Sequence, residues 1–178
     1  SVSQRDAFHA VALRQDVQVL VQRVLLGLGF QVGGDPLARV LDGAERIMGA
    51  ASAVGMGRLA LNKATDYVKT RQVWKTPIGA HQGIAHPLAQ NHIELELAKL
   101  MTQKAATLYD AGDDMGAAEA ANMAKYAAGE ASARAVDQAV QSHGGNGLSQ
   151  EYGVAAMLTA SRLSRVAPVS REMVLNFI

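Results

Sequence analysis

Residues 115–143 read MGAAEAANMAKYAAGEASARAVDQAVQSH, and this stretch decides the fold class. Alanine is the strongest helix former, and its small side chain lets two helices approach closely. A helix is therefore expected from about Met115 to His143. The Gly144-Gly145-Asn146-Gly147 run ends it, because glycine admits the positive φ that a helix terminus often needs. Upstream, Asp110, Gly112, Asp113 and Asp114 form a turn. Before that turn a helix is predicted from about His81 to Gly112, with a kink at Pro87. The stretch Trp74-Lys75-Thr76-Pro77-Ile78-Gly79 reads as a turn. A longer helix precedes it, from a cap at Asp35 and Pro36 in its first turn to about Thr70, roughly 50 Å at ~1.5 Å per residue. Its middle holds Gly49, Ala50, Ala51, Ala53, Gly55, Gly57 and Ala60, a density of small residues that places another backbone close by. Downstream, a short helix is expected from Glu151 to about Leu163, and a last one from about Ser170.

At the N-terminus, Ser3 can cap a first helix whose stripe runs from Val11 through Leu28 at helical spacing. Gly27-Leu28-Gly29 superficially looks like a dinucleotide-binding loop, but the third glycine is misplaced and no strand pattern precedes it. Residues 1–36 thus form an expected helix and loop, and 37–178 an all-α, up-and-down helical bundle built around three long helices.

Composition agrees. Of 178 residues 49% are apolar, only 4% are aromatic, and 32 are alanine, so period-two strands for a sandwich or barrel are lacking. Seventeen basic against sixteen acidic residues leave a net charge of +1, without a basic block for nucleic acid. With no cysteine there is no disulfide, thiol nucleophile or thiolate metal site. No two histidines stand four residues apart, so no helical two-His metal site is expected. No apolar window is long enough to span a membrane, and the first residues lack a signal-peptide core; a cytoplasmic protein is expected.

A longer pattern runs through the chain. Leu41-Asp42 and Glu45-Arg46 are followed by Ala64, Tyr67 and Arg71, then Trp74, Pro77-Ile78, Gln82, His86 and Leu88-Ala89. Farther on come Met123-Ala124-Lys125, Asp137, Val140-Gln141, Gly144 to Gly147 and Glu151-Tyr152. In order and spacing this resembles the C-terminal helical domain of acyl-CoA dehydrogenases, over residues 37–178. The resemblance implies an FAD enzyme that removes an α-proton and a β-hydride from an acyl-CoA thioester. It also implies electron-transferring flavoprotein as acceptor and an even-numbered homo-oligomer, dimer or tetramer. The flavin supplies the redox chemistry, and a carboxylate supplies the base.

Site residues follow from the same resemblance. Arg71 matches an arginine that reaches the FAD pyrophosphate of a neighbouring subunit, which a bidentate, always charged guanidinium suits; a helix-end arginine bonding carbonyls is the competing reading. Trp74 matches a position usually held by phenylalanine near the flavin, and Gln82 a second FAD contact. Gln141, Ser142, His143, Gly144 and Gly145 match a loop whose bare backbone approaches phosphate oxygens. Relatives often carry the base in a Tyr-Glu-Gly-Thr stretch, and ungapped alignment puts Pro168 at that Glu and Ser170 at the Thr. Proline takes no proton, so Ser170 and Glu172 are left as FAD neighbours. Other members place the base just before a helix arginine, which makes Glu45 the base candidate and Arg46 the residue that orients acid or substrate. A Glu45 acting near neutral pH is expected to face an apolar cleft that raises its pKa.

Departures from the pattern are Asp42 standing four rather than three residues before Arg46, and Thr159 where an arginine is common. The family's N-terminal helical and middle β-domains have no counterpart here. The alternative to an enzyme's C-terminal domain is a non-catalytic assembly or scaffold module of a flavoprotein complex. The small-residue faces at 49–60 and 117–139 are expected to serve self-association.

Overall fold

A computed structural model describes residues 36–178, with side chains from residue 43 onward; the expected N-terminal helix, its Ser3 cap, the Gly27-Leu28-Gly29 loop and the Asp35 cap lie outside the described residues. Helix α1 spans Pro36–Thr70. A two-residue hairpin follows, with β1 (Gln72–Val73) antiparallel to β2 (Thr76–Pro77). A single 3-10 turn, Ile78–Ala80, then leads into α2 (Gln82–Asp110). Helix α3 runs Asp114–His143 and passes into a 3-10 turn at Gly144–Leu148; α4 (Ala156–Leu163) and α5 (Arg171–Phe177) complete the order.

Helix α2 is continuous through Pro87, which lies in its second turn. The missing N–H there forfeits only the bond to the Gly83 carbonyl. Helix α4 starts at Ala156 rather than Glu151, because Gly153 takes φ +66 and Tyr152 is committed to an aromatic contact. The segment read as a plain turn is a hairpin whose two central residues, Trp74 (φ 53) and Lys75 (φ 67), both have positive φ. That is the geometry of a type I′ turn, here without glycine or asparagine.

Helix α3 is the axis. It packs along both α1 and α2 and carries α4 and α5. Its alanine face, including Ala121, Ala124, Ala128, Ala135 and Ala139, is wholly buried within this one chain. At the closest approach, a Cβ on Gly57 of α1 would sit 2.5 Å from Leu95 Cδ2 and 3.1 Å from Ser132 Cα. Ala50, Ala53, Gly57 and Ala60 of α1, like the α3 alanines, therefore serve helix packing inside the bundle, whereas Ala51 and Gly55 of the same small-residue run stay exposed. A second exposed apolar stripe lies on α2, where Ile93, Leu97 and Leu100 are 60%, 61% and 60% exposed. Asp113 caps α3 by accepting from the Gly116 N–H at 3.0 Å.

Candidate functional site

Helices α1 and α3 end side by side, and their ends form a cleft of about 290 Å³ lined by Tyr67, Arg71, Val73, Ile78 and residues Gln141 through Asn146. Tyr67 and Arg71 stand one turn apart at the end of α1, so both face it. Gln141 is exposed at its wall, while Ser142 and His143 are buried. The Ser142 hydroxyl accepts from Gln138 Nε2 at 3.2 Å. His143 Nδ1 lies 2.7 Å from the Ala139 carbonyl. A carbonyl only accepts, so Nδ1 carries the ring proton. The imidazole stacks on Tyr67 at 4.3 Å and meets Tyr152 edge-on at 5.5 Å. Asn146 Nδ2 donates to the Tyr67 hydroxyl at 3.1 Å and to that of Tyr152 at 3.4 Å. Three rings and one amide thus hold the glycine turn against α1.

The turn itself is open. Gly144 has φ +59, and a Cβ on Gly144 or Gly145 would meet nothing within 4 Å. The Gly144 N–H is already bonded to the Gln141 carbonyl, so it is not available to a ligand. Both long helices point their C-termini here, and a helix C-terminus carries partial negative charge. Any phosphate bound in the cleft must therefore be drawn by Arg71, whose side chain is exposed and has no partner among the described residues. Trp74 is 86% exposed at the hairpin tip, with its ring edge-on to His81 at 6.2 Å. Gln82 follows as the first residue of α2, also exposed. Both adjoin the cleft through the hairpin without lining it.

The remaining sequence-predicted residues gather elsewhere. Arg46 belongs to the early part of α1, 25 residues before Arg71, about 38 Å away at ~1.5 Å per residue. Near it, Lys125 of α3 is only 4% exposed and donates to the Val169 carbonyl. Burial lowers the Lys125 pKa from 10.5 to about 8; the neighbouring Arg46 charge lowers it too, while Glu172 acts to raise it. Ser170 is the N-cap of α5, accepting from the Met173 N–H at 3.4 Å. Glu172 is held below the usual carboxylate range, first by its own backbone N–H and then by Arg171. The Arg171 pKa is raised, chiefly by its hydrogen bond to Glu172. Glu130 ties this segment down, accepting from Arg165 Nε at 2.7 Å and Arg171 Nη1 at 3.3 Å. Glu45 is exposed one residue before Arg46. Pro168 sits half-buried in the turn.

The structure therefore brings Arg71, Gln141, Ser142, His143, Gly144 and Gly145 to one cleft and groups Arg46, Ser170 and Glu172 around Lys125 at the other end. Sequence reasoning assigned no part to Tyr67, Tyr152, Asn146 or Lys125, although all four stand in the recurring pattern. The signal was the four-residue step from Tyr67 to Arg71, which forces a shared helix face. Among the described residues, no group of three His, Asp or Glu side chains could hold a metal, and no helix is long and apolar enough to cross a membrane.

The family model described as acyl-CoA dehydrogenase, C-terminal domain, matches residues 38–178. Acyl-CoA dehydrogenase FadE12 of Mycobacterium tuberculosis is 70% identical over 172 residues, covering 94% of this chain and 44% of that protein. Among solved structures, butyryl-CoA dehydrogenase from Megasphaera elsdenii superposes with a TM-score of 0.74 at 29% identity, over 83% of this chain and 38% of that one. An FAD complex of PigA superposes with a TM-score of 0.68 at 27% identity, over 72% of this chain and 33% of that one. The chain spans less than half the length of the curated relatives it matches.

Proposed function

Because this chain belongs to the acyl-CoA dehydrogenase family, as its C-terminal domain, we propose that it contributes the cofactor rim, the oligomer-contact helices and the base-bearing helix of an FAD-dependent acyl-CoA dehydrogenase. The observation that carries this reading is the cleft at the ends of α1 and α3, where Arg71, without a partner among the described residues, faces an open glycine turn. The residues fit a pyrophosphate. Arg71 supplies a fixed charge and paired donors, the side-chain-free surface at Gly144 and Gly145 lets a phosphate approach, and Gln141 adds a polar group at the wall. Trp74 and Gln82 extend the rim along the hairpin, while Ser142 and His143 hold the turn from beneath. At the other end, Ser170 and Glu172 are the FAD neighbours.

FAD held there would supply the acceptor for a hydride from the β-carbon of the acyl chain. Glu45 takes the α-proton on a carboxylate oxygen, and Arg46 orients that carboxylate or the thioester. The run of α1 between Arg46 and Arg71 supports a division of labour between protomers. One subunit's Arg71 serves a neighbour's cofactor, whereas its Glu45 serves another. The exposed Ile93–Leu97–Leu100 stripe supports a homo-oligomer, dimer or tetramer. Electron-transferring flavoprotein is the proposed acceptor and the cytoplasm the proposed compartment. Pro168, where many relatives carry the base, supports a second reading, a non-catalytic assembly module.

Full-length protein decides between them. It should purify with FAD and oxidise acyl-CoA. Glu45→Gln, which keeps size and polarity, should lower turnover by about 10²–10⁴-fold with FAD content unchanged. Normal turnover in that variant removes Glu45 as base, and full-length protein without flavin or activity favours the assembly module. The isolated 178-residue chain, holding only the rim, should be colourless.

A further inference from the structure

Lys125 is the charged side chain that the mechanism above does not use. It is 4% exposed, in the middle of an alanine-rich helix whose other buried groups carry no fixed charge. An isolated ammonium is costly to bury, so its surroundings should show what holds it there. It donates to the carbonyl of Val169, in the turn between α4 and α5. The charged groups facing it among the described residues are Arg46 from α1 and Glu172 from α5; the turn offers only that carbonyl. A second tie lies farther along α3, where Glu130 holds Arg165 and Arg171 at the two ends of the same turn. The turn closes on itself through the Arg171 N–H to the Arg165 carbonyl at 3.1 Å. Its middle, Pro168 to Ser170, is thus fixed to α3 by Lys125, between the flanking arginines that Glu130 holds.

We propose that Lys125 is a positioning residue, whose ammonium pins the Val169 carbonyl, and with it Ser170 and the first turn of α5, against the Arg46 end of α1. The consequence for turnover rests on the functional reading given above; the consequence for the turn does not. A neutral side chain of similar length fills the space but neither donates to Val169 nor balances Arg46 against Glu172. A group with a pKa of about 8 loses its charge within the range where the enzyme can be assayed.

The test uses the full-length protein with Lys125→Met and Lys125→Arg. Lys125→Met should melt cooperatively and retain its FAD. It should turn over acyl-CoA about 10²-fold more slowly, as expected when remote support for a site is lost. Trypsin should nick it at Arg165 and Arg171 several-fold faster than wild type, identified by fragment mass. Lys125→Arg should restore most of both and remove the wild-type alkaline decline in turnover near pH 8. Wild-type nicking and turnover in Lys125→Met overturn the proposal. So does loss of its cooperative melt, which would make the lysine a core-packing residue only. If wild-type protein carries neither flavin nor activity, the functional reading fails, and the nicking comparison still decides whether Lys125 holds the turn.

Discussion

The two ends of the bundle are built on opposite principles. At the cleft end, apolar stacking does the holding: Tyr67, His143 and Tyr152 lock the glycine turn, and Arg71 is left without a partner among the described residues. At the Lys125 end, charge does the holding, and Arg165, Arg171 and Lys125 each find a partner in the chain. A rigid frame around a cation with no partner among the described residues is what the proposed pyrophosphate contact requires. An end whose cations are already answered is built to fix its own backbone. The run of α1 from Arg46 to Arg71 keeps the two apart, so each can be perturbed alone.

The largest effect expected from perturbing one end is on stability at the charged one. The folded pKa of Lys125 lies near 8, below the ordinary 10.5, so between those values the unfolded chain binds more protons than the folded one. Stability attributable to this group should therefore rise with pH across that window. The burial cost is fully present below about pH 8 and relieved above about 10.5, an amount on the order of 3 kcal/mol. Denaturant melts of wild type and Lys125→Met at pH 7.5 and 10 should narrow the gap between them or reverse it. A pH-independent gap would mean that this end does not hold its charge as described.

At the cleft end, Arg71→Ala should weaken FAD binding by about 10- to 100-fold, the range for a lost hydrogen bond to a charged group. Thermal stability should barely change, because the guanidinium has no partner among the described residues. Equilibrium FAD titration and a melt of the apoprotein check both halves. A large loss of stability would contradict the view that this end waits for a ligand.

The smallest change is Tyr67→Phe. It keeps the stack on His143 and removes the hydroxyl that accepts from Asn146. About 1 kcal/mol is expected, seen as faster amide exchange in the 144–148 turn with the Lys125 end unaffected. Matching changes at both ends would show that the two are coupled through α3.

Much of the fold was legible in advance because it rests on local rules. Alanine density, the turn at 110–114 and the glycine run at 144–147 placed α3 within a residue of its observed ends. The start of α4 and the hairpin at 72–77 were not legible, since a type I′ turn at Trp74-Lys75 has no glycine or asparagine to announce it. Of the site, the resemblance assigned Arg71 and the 141–145 segment to the cofactor's phosphates, and the structure brings them to one cleft. The pattern did not show that Ser142 and His143 face inward as supports, nor that Arg46, Ser170 and Glu172 share an environment with Lys125.

By itself, then, the sequence determined the helices, their order and their family, because helix propensity, capping and residue spacing act over a few neighbours. The tertiary structure alone decided which small residues are consumed inside the bundle and which lysine is buried. Burial and charge pairing depend on residues far apart in the chain, such as Lys125 and Val169 or Tyr67 and Asn146, and only the packing of α1 and α3 brings those together.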